Sequence, residues 1–217
     1  YKRQVLPCVR IMSEPCSKRI NPKQREFFNE RAEIWDSITT HDDEKVSYIT
    51  SILELKGDEK IMDVGTGTGV MIPYYESKLD SGSITAVDYS ENMIEAARRK
   101  FPENEHPVTF KVSDIYNLEM KPEFDLIMCY SCFPHFNNQP LAVSHLTEGL
   151  KSGGKFVVAH SASRDKINNV HMEAGKIVSN DFLPQMNELT EMMEKAHLDV
   201  IFRRDDEEYY IAVGCKH

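Results

Sequence analysis

No apolar run in this chain approaches the roughly 18 residues that a membrane-spanning helix needs, so nothing in the sequence reads as a transmembrane segment. Basic residues are fewer than acidic ones, 26 against 35, and the densest basic runs, Arg98-Arg99-Lys100 and Arg203-Arg204, are short. Phosphate binding rests on clustered Lys and Arg, which leaves duplex nucleic acid out of the expected partners and makes these runs solvated faces. Cysteine is sparse and odd in number. Five residues, Cys8, Cys16, Cys129, Cys132 and Cys215, suit free thiols in a reducing compartment better than a disulfide framework. The isolated pair Cys129-Tyr130-Ser131-Cys132 is a weak metal or redox signal. There is no internal repeat and no low-complexity linker, and the opening Tyr1-Lys2-Arg3-Gln4-Val5-Leu6-Pro7 is too short and too polar for a secretory signal. These absences point to a cytoplasmic protein.

What is present fits one globular domain: 217 residues, 41% apolar and 28% charged. The first 20 residues, with Pro7 and Pro15, read as an extended arm. From Asn21-Pro22 the pattern Phe27, Phe28, Arg31, Ile34, Trp35, Ile38 has a helical period, with Asn21 as N-cap and Pro22 at the first helical position. A second helix is predicted from about His41 to Leu55, ended by Gly57. Short apolar runs then alternate with helical segments. Strands are expected at 60–64, 83–87, 108–112, 124–129 and 155–160, with helices at about 70–77, 92–100 and 140–150. Strand then helix, repeated, predicts an α/β fold with a parallel sheet covered on both faces. Beyond Ser161 the order changes to a helix-rich insertion through Gly175, a helix from about Pro184 to Ala196, and strands at 200–204 and 209–214 that pair antiparallel across Asp205-Asp206-Glu207-Glu208.

The most informative stretch is Asp63-Val64-Gly65-Thr66-Gly67-Thr68-Gly69. Glycines at alternate positions after a strand let the backbone turn tightly and approach a ligand. A dinucleotide fingerprint requires Gly-x-Gly-x-x-Gly, and Val70 stands where its third glycine belongs. Asp63 also suits a cationic ligand group better than a pyrophosphate. Asp88, 19 residues after Gly69 at the end of the second strand, can accept both hydroxyls of a ribose. Asp114, 26 residues further on, is placed to read an adenine amino group. Each acid alone would be a helix N-cap; one loop and two acids along one sheet edge describe a nucleoside site.

This constellation resembles the class I S-adenosylmethionine-dependent methyltransferases from about Asn21 to the C-terminus. The glycine loop matches the acidic-x-Gly-x-Gly-x-Gly motif of that family, and Val87-Asp88-Tyr89-Ser90 matches its second-strand acid. Leu150-Lys151-Ser152-Gly153-Gly154-Lys155 is similar to its Pro-Gly-Gly turn before the fifth strand, with Ser152 in place of Pro. The resemblance implies a Rossmann-like seven-stranded sheet of order 3-2-1-4-5-7-6, mostly parallel with a C-terminal antiparallel strand, and S-adenosylmethionine as cofactor. It implies cofactor contacts from Asp63, Gly65, Thr66, Gly67, Gly69, Asp88, Tyr89, Met93, Asp114, Ile115, Cys129 and Trp35. The segment from Phe27 to Asp36 looks like the lid helix of small-molecule members, although Phe28 and Trp35 at helical spacing also read as core. The expected division is an arm and lid over residues 1–56 and a cofactor-binding core over 57–217.

In a doubly wound sheet the reacting region lies beyond the carboxyl ends of the strands. The segments there run from Cys129 to Phe136 and from His160 to Asp165. His135, His160, Arg164 and His171 are the candidates for catalysis and for a polar acceptor pocket, Arg164, Asn168 and His171 sharing a helical face. Histidine clusters also bind transition metals, yet no metal site is assigned. The Cys-Phe-Pro-His-Phe loop and the segment from His160 to His171 resemble those of a subgroup of uncharacterised anaerobe methyltransferases. The expected activity is in-line methyl transfer to a small molecule. The alternatives are a nicotinamide oxidoreductase, disfavoured by Val70 and Asp63, and a non-catalytic S-adenosylmethionine- or metal-binding regulator or partner subunit.

Overall fold

The computed structural model describes residues 22–174 and 177–217. The expected N-terminal arm and the Asn21 cap lie outside them. Strands β1 (Lys60–Val64), β2 (Ser83–Asp88), β3 (Val108–Val112), β4 (Phe124–Tyr130), β5 (Leu150–His160), β6 (Leu198–Asp205) and β7 (Tyr210–Lys216) form one sheet. Its order is β3-β2-β1-β4-β5-β7-β6, as the family resemblance implies. The first five strands pair in parallel, and β7 runs antiparallel to both β5 and β6.

The helices are α1 (Pro22–Arg31), α2 (Trp35–Ile38), α3 (Asp43–Ser51), α4 (Ile72–Glu76), α5 (Glu91–Lys100), α6 (Gln139–Thr147), α7 (Arg164–Glu173) and α8 (Met186–Lys195). The first predicted helix breaks into α1, a 3-10 turn at Ala32–Ile34 and α2. The second begins later than expected because Asp42 caps it, accepting from the backbone N–H groups of Glu44 and Lys45. That leaves His41 in the connection, outside the helix. The Ser152-Gly153-Gly154 turn does not precede β5 but lies within it as a bulge, with Gly153 at φ 79° and a register shift against β4 between Phe124 and Leu126.

Apolar residues of the central strands feed two cores, one on each face of the sheet. Val64, Ile127, Cys129, Phe156 and Val158 belong to one, and Ile61, Leu126, Met128, Val157 and Ile211 to the other. Adjacent strand residues fall to opposite faces, as the two-residue period of a pleated strand requires. A smaller cluster of Phe28, Ala32 and Met93, with Phe27, Trp35 and Tyr89 against it, joins the N-terminal helices to α5. Among the described residues no helix is long and apolar enough to cross a membrane.

Candidate functional site

A cavity of about 650 Å³ opens over the carboxyl ends of the strands, where a doubly wound sheet binds its ligand. The glycine loop supplies its middle. Gly65 and Gly67 have φ of 64° and 56°, the left-handed region that favours glycine. A Cβ on Gly65 would lie 2.5 Å from Cys132 Cβ, whereas one on Gly67 would meet nothing nearer than Trp35 Nε1 at 4.0 Å. Gly65 therefore allows the strand-to-loop turn to pack on the β4 loop, and Gly67 presents bare backbone to the cavity.

Asp88 ends β2 with its side chain at the cavity and 7% exposed. Its Oδ2 accepts from the Gly67 N–H at 2.9 Å and its Oδ1 from the Ser90 N–H at 2.9 Å. Each oxygen keeps a second acceptor position. Burial pushes this carboxyl up, and the backbone N–H groups of Ser90 and Gly67 act against that. Beyond β3, Asp114 Oδ1 accepts from the Tyr116 N–H at 3.1 Å, and Ser113, Asp114, Ile115 and Tyr116 all line the cavity.

Of the twelve expected cofactor residues, Trp35, Gly65, Thr66, Gly67, Asp88, Tyr89, Met93, Asp114 and Ile115 line this cavity, and Asp63, Gly69 and Cys129 do not. Asp63 is 1% exposed, accepting from Thr66 Oγ1 at 2.6 Å and Tyr75 Oη at 3.1 Å. It braces the loop from behind instead of facing a ligand, and burial pushes its carboxyl up to about 6. Gly69 turns toward Ile72 and Phe101, whose side chains lie 2.9 Å from where its Cβ would be. The Cys129 side chain is fully buried in the core on one face of the sheet.

The four expected acceptor residues separate in a similar way. His135 lines the cavity; His160, Arg164 and His171 do not. His135 Nδ1 lies 2.7 Å from Asp181 Oδ2, and the same oxygen accepts from Gln24 Nε2 at 2.6 Å, so one carboxylate ties the β4 loop to α1. His171 stands beside His135, ring centroids 4.9 Å apart, and its Nδ1 is 2.6 Å from the Asp181 carbonyl oxygen. His160 is 1% exposed, with no hydrogen-bond partner for either ring nitrogen, and burial pushes its pKa down to about 3. Arg164 spends its guanidinium on the neighbouring Asp165. Among the described residues no three His, Cys, Asp or Glu side chains are grouped to hold a metal ion.

The N-terminal helices form a wall of the cavity through Gln24, Phe28, Trp35 and Ile38. Asp36 fixes them to the sheet: its Oδ1 accepts from Thr68 Oγ1 at 2.5 Å and its Oδ2 from Lys100 Nζ at 2.7 Å. Burial raises the Asp36 carboxyl, but the hydrogen bonds from Lys100 and Thr68 outweigh it and hold the group below the usual carboxylate range. His41, Tyr130 and Ser161 also face the cavity. Tyr130 and Ser161 fall in the segments expected at adjacent strand ends, whereas His41, expected to begin a helix, lies in the connection before α3.

Residues 61–154 match the family model described as a methyltransferase domain. Over those residues the chain is similar to methyltransferase domains. The chain is 31% identical over 129 residues to a malonyl-[acyl-carrier protein] O-methyltransferase of Acetivibrio thermocellus, a match covering 58% of this chain and 45% of that protein. It is 28% identical over 106 residues to a putative methyltransferase of Invertebrate iridescent virus 6, covering 49% of this chain and 38% of that one. The chain thus spans less than half the length of these curated relatives. Among solved structures it superposes on a chain of the complex between the Haloferax volcanii Trm112 methyltransferase activator and a putative methyltransferase. The TM-score there is 0.71 at 18% identity, over 88% of this chain and 98% of that one. The magnesium protoporphyrin IX methyltransferase of Synechocystis with bound S-adenosylhomocysteine gives a TM-score of 0.69 at 15% identity, over 90% and 99%. At these identities the structural likeness shows the fold alone.

Proposed function

We propose that this protein transfers a methyl group from S-adenosylmethionine to a small-molecule acceptor. The observation that carries the reading is a single cavity whose wall receives, from adjacent strands, a glycine loop after β1, a carboxylate ending β2 and a carboxylate beyond β3. When bound, S-adenosylmethionine supplies a methyl carbon on a positively charged sulfur. The residues present fit such a ligand: Gly67 leaves its Cβ position open to the cavity, and Asp88 has acceptor capacity left for two ribose hydroxyls. Asp114 stands where the adenine edge would lie. Phe28 and Trp35 cover the site and exclude water, and alignment inside a closed cavity supplies much of the rate gain in a displacement.

The acceptor belongs over β4 and β5, on the side of the loop away from β2 and β3, where Tyr130, His135, Ser161, Ile167 and Val170 line the wall. The relatives named as O-methyltransferases support an oxygen acceptor. Calorimetry tests the reading. S-adenosylmethionine and S-adenosylhomocysteine should bind at micromolar strength, and preferential binding of NAD would overturn it.

A further inference from the structure

Three polar side chains on the β4–β5 side of the cavity form a hydrogen-bonded row. His41 Nδ1 lies 3.0 Å from Tyr130 Oη, which lies 2.9 Å from Ser161 Oγ. Tyr130 is the last residue of β4, Ser161 follows directly on β5, and His41 comes from the connection between α2 and α3. All three line the cavity although Tyr130 is only 4% exposed. A phenol hydroxyl has one proton, so in two such contacts it donates once and accepts once. With Ser161 donating to Tyr130 and Tyr130 donating to His41, both protons point toward the imidazole. A lone pair of Ser161 then remains for a donor in the cavity.

The charges around the ring suit a proton acceptor. Burial holds His41 below the usual histidine range, Asp36 favours its protonated form, and Lys100 disfavours it. Asp42 and Lys45 line the same wall, and Asp42 acts on Tyr130. The imidazole is therefore neutral near neutral pH, with a carboxylate nearby to stabilise the imidazolium that would form.

We propose that Ser161, Tyr130 and His41 are a proton path that deprotonates the methyl acceptor, and that this acceptor is a phenol. The proposal rests on the methyl-transfer reading above and deepens it. A carboxylate acceptor is already ionised and needs no such path, and an alkyl alcohol lies much further than a phenol above the range of an imidazole, so a phenol gives this path the smaller proton-transfer cost. A phenol, with a pKa of about 10, is within reach, its O–H is a better donor to Ser161 than a thiol, and its ring suits a wall of Ile38, Ile167 and Val170. The acceptor O–H proton passes to Ser161 Oγ, the Ser161 proton to Tyr130 Oη, and the Tyr130 proton to His41 Nδ1. Both hydroxyls are restored and an imidazolium is left. The oxygen forms its bond to the methyl carbon as the carbon–sulfur bond breaks, its electron pair staying on sulfur; one positive charge precedes the step and one follows it. Ser161 is the group that meets the acceptor, with Tyr130 and His41 acting through it as positioning residues.

The test uses the protein loaded with S-adenosylhomocysteine, which permits no turnover, and 4-nitrophenol, whose phenolate absorbs in the visible. Followed across pH, the phenolate fraction of the bound probe should be larger in the unmodified protein than in His41→Gln or Tyr130→Phe, both of which should leave S-adenosylhomocysteine affinity unaltered. If Tyr130→Phe fails to fold, His41→Gln, in a half-buried connection, still decides the matter. No probe binding, or an undiminished phenolate fraction in His41→Gln, overturns the relay alone. Failure of S-adenosylhomocysteine to bind overturns the methyl-transfer reading and the relay with it.

Discussion

His160 and Asp63 are buried ionisable groups whose effects on stability run in opposite senses with pH. Burial holds the His160 ring neutral down to about 3, so between its ordinary value of 6.5 and that point the unfolded chain binds the extra proton and acidification destabilises the fold. Asp63 is raised from 3.8 to about 6, so in that interval the folded state binds the extra proton and acidification stabilises it. Denaturant unfolding at pH about 7 and about 5 separates the two. His160→Phe should lose less stability on acidification than the unmodified protein, and Asp63→Asn should lose more; parallel behaviour of all three would reject both assignments. Asp88 is different in kind, being at the cavity. Asp88→Ala should weaken S-adenosylhomocysteine binding by about 1.5–3 kcal/mol, the range for hydrogen bonds to a charged group, and calorimetry finding unaltered affinity would reject the ribose role. Asp88 and Asp63 also mark the limit of the sequence. The spacing after the glycine loop places Asp88 at a strand end, where it must meet the cavity. Asp63 lies within β1, and only the fold shows its carboxylate taken up by Thr66 and Tyr75.

At the scale of elements, the strands were legible because each is a short apolar run between turn signals, and the crossovers follow from their parallel order. Boundaries set by single side chains were less so: Asp42 moves the start of α3, and the glycine pair at 153–154 bulges β5 instead of preceding it. His41 is hidden from sequence reasoning for this reason, since two residues of helix boundary decide whether it lies in a helix or in a connection facing the cavity. The expected division between a lid and a core is tested by removing residues 1–40. The cluster of Phe28, Ala32 and Met93 is separate from the two cores that flank the sheet. The truncated chain should therefore keep one cooperative unfolding transition while releasing S-adenosylhomocysteine faster in stopped-flow, because Gln24, Phe28, Trp35 and the Asp36 tie to Thr68 and Lys100 are gone. Loss of the cooperative transition would make these helices part of the core.

For the whole molecule, the strand order decides how the chemistry is divided. Reading across the sheet, β3 and β2 bring Asp114 and Asp88, β1 brings the glycine loop, and β4 and β5 bring Tyr130, His135 and Ser161. On the proposed methyl-transfer reading, a ligand held by the first two groups presents its far end to the third, which puts the acceptor over β4 and β5. The cavity also couples ligand to global stability, because its walls come from the sheet, from both sides of the glycine loop and from the N-terminal helices at once. A ligand that binds only the folded state stabilises it by about 2.7 kcal/mol at a hundredfold excess over its Kd. For a domain of this size each kcal/mol moves Tm by about 2–4 °C. S-adenosylhomocysteine at that excess should therefore raise Tm by roughly 5–11 °C, and NAD at equal concentration should leave it in place. In Asp88→Ala, held at the same ligand concentration, the rise should shrink by about 2–4 °C for each kcal/mol of binding free energy lost, until it vanishes. A thermal shift that appears with NAD, or one that persists at full size in Asp88→Ala, would place the ligand elsewhere than over the carboxyl ends of β1 and β2.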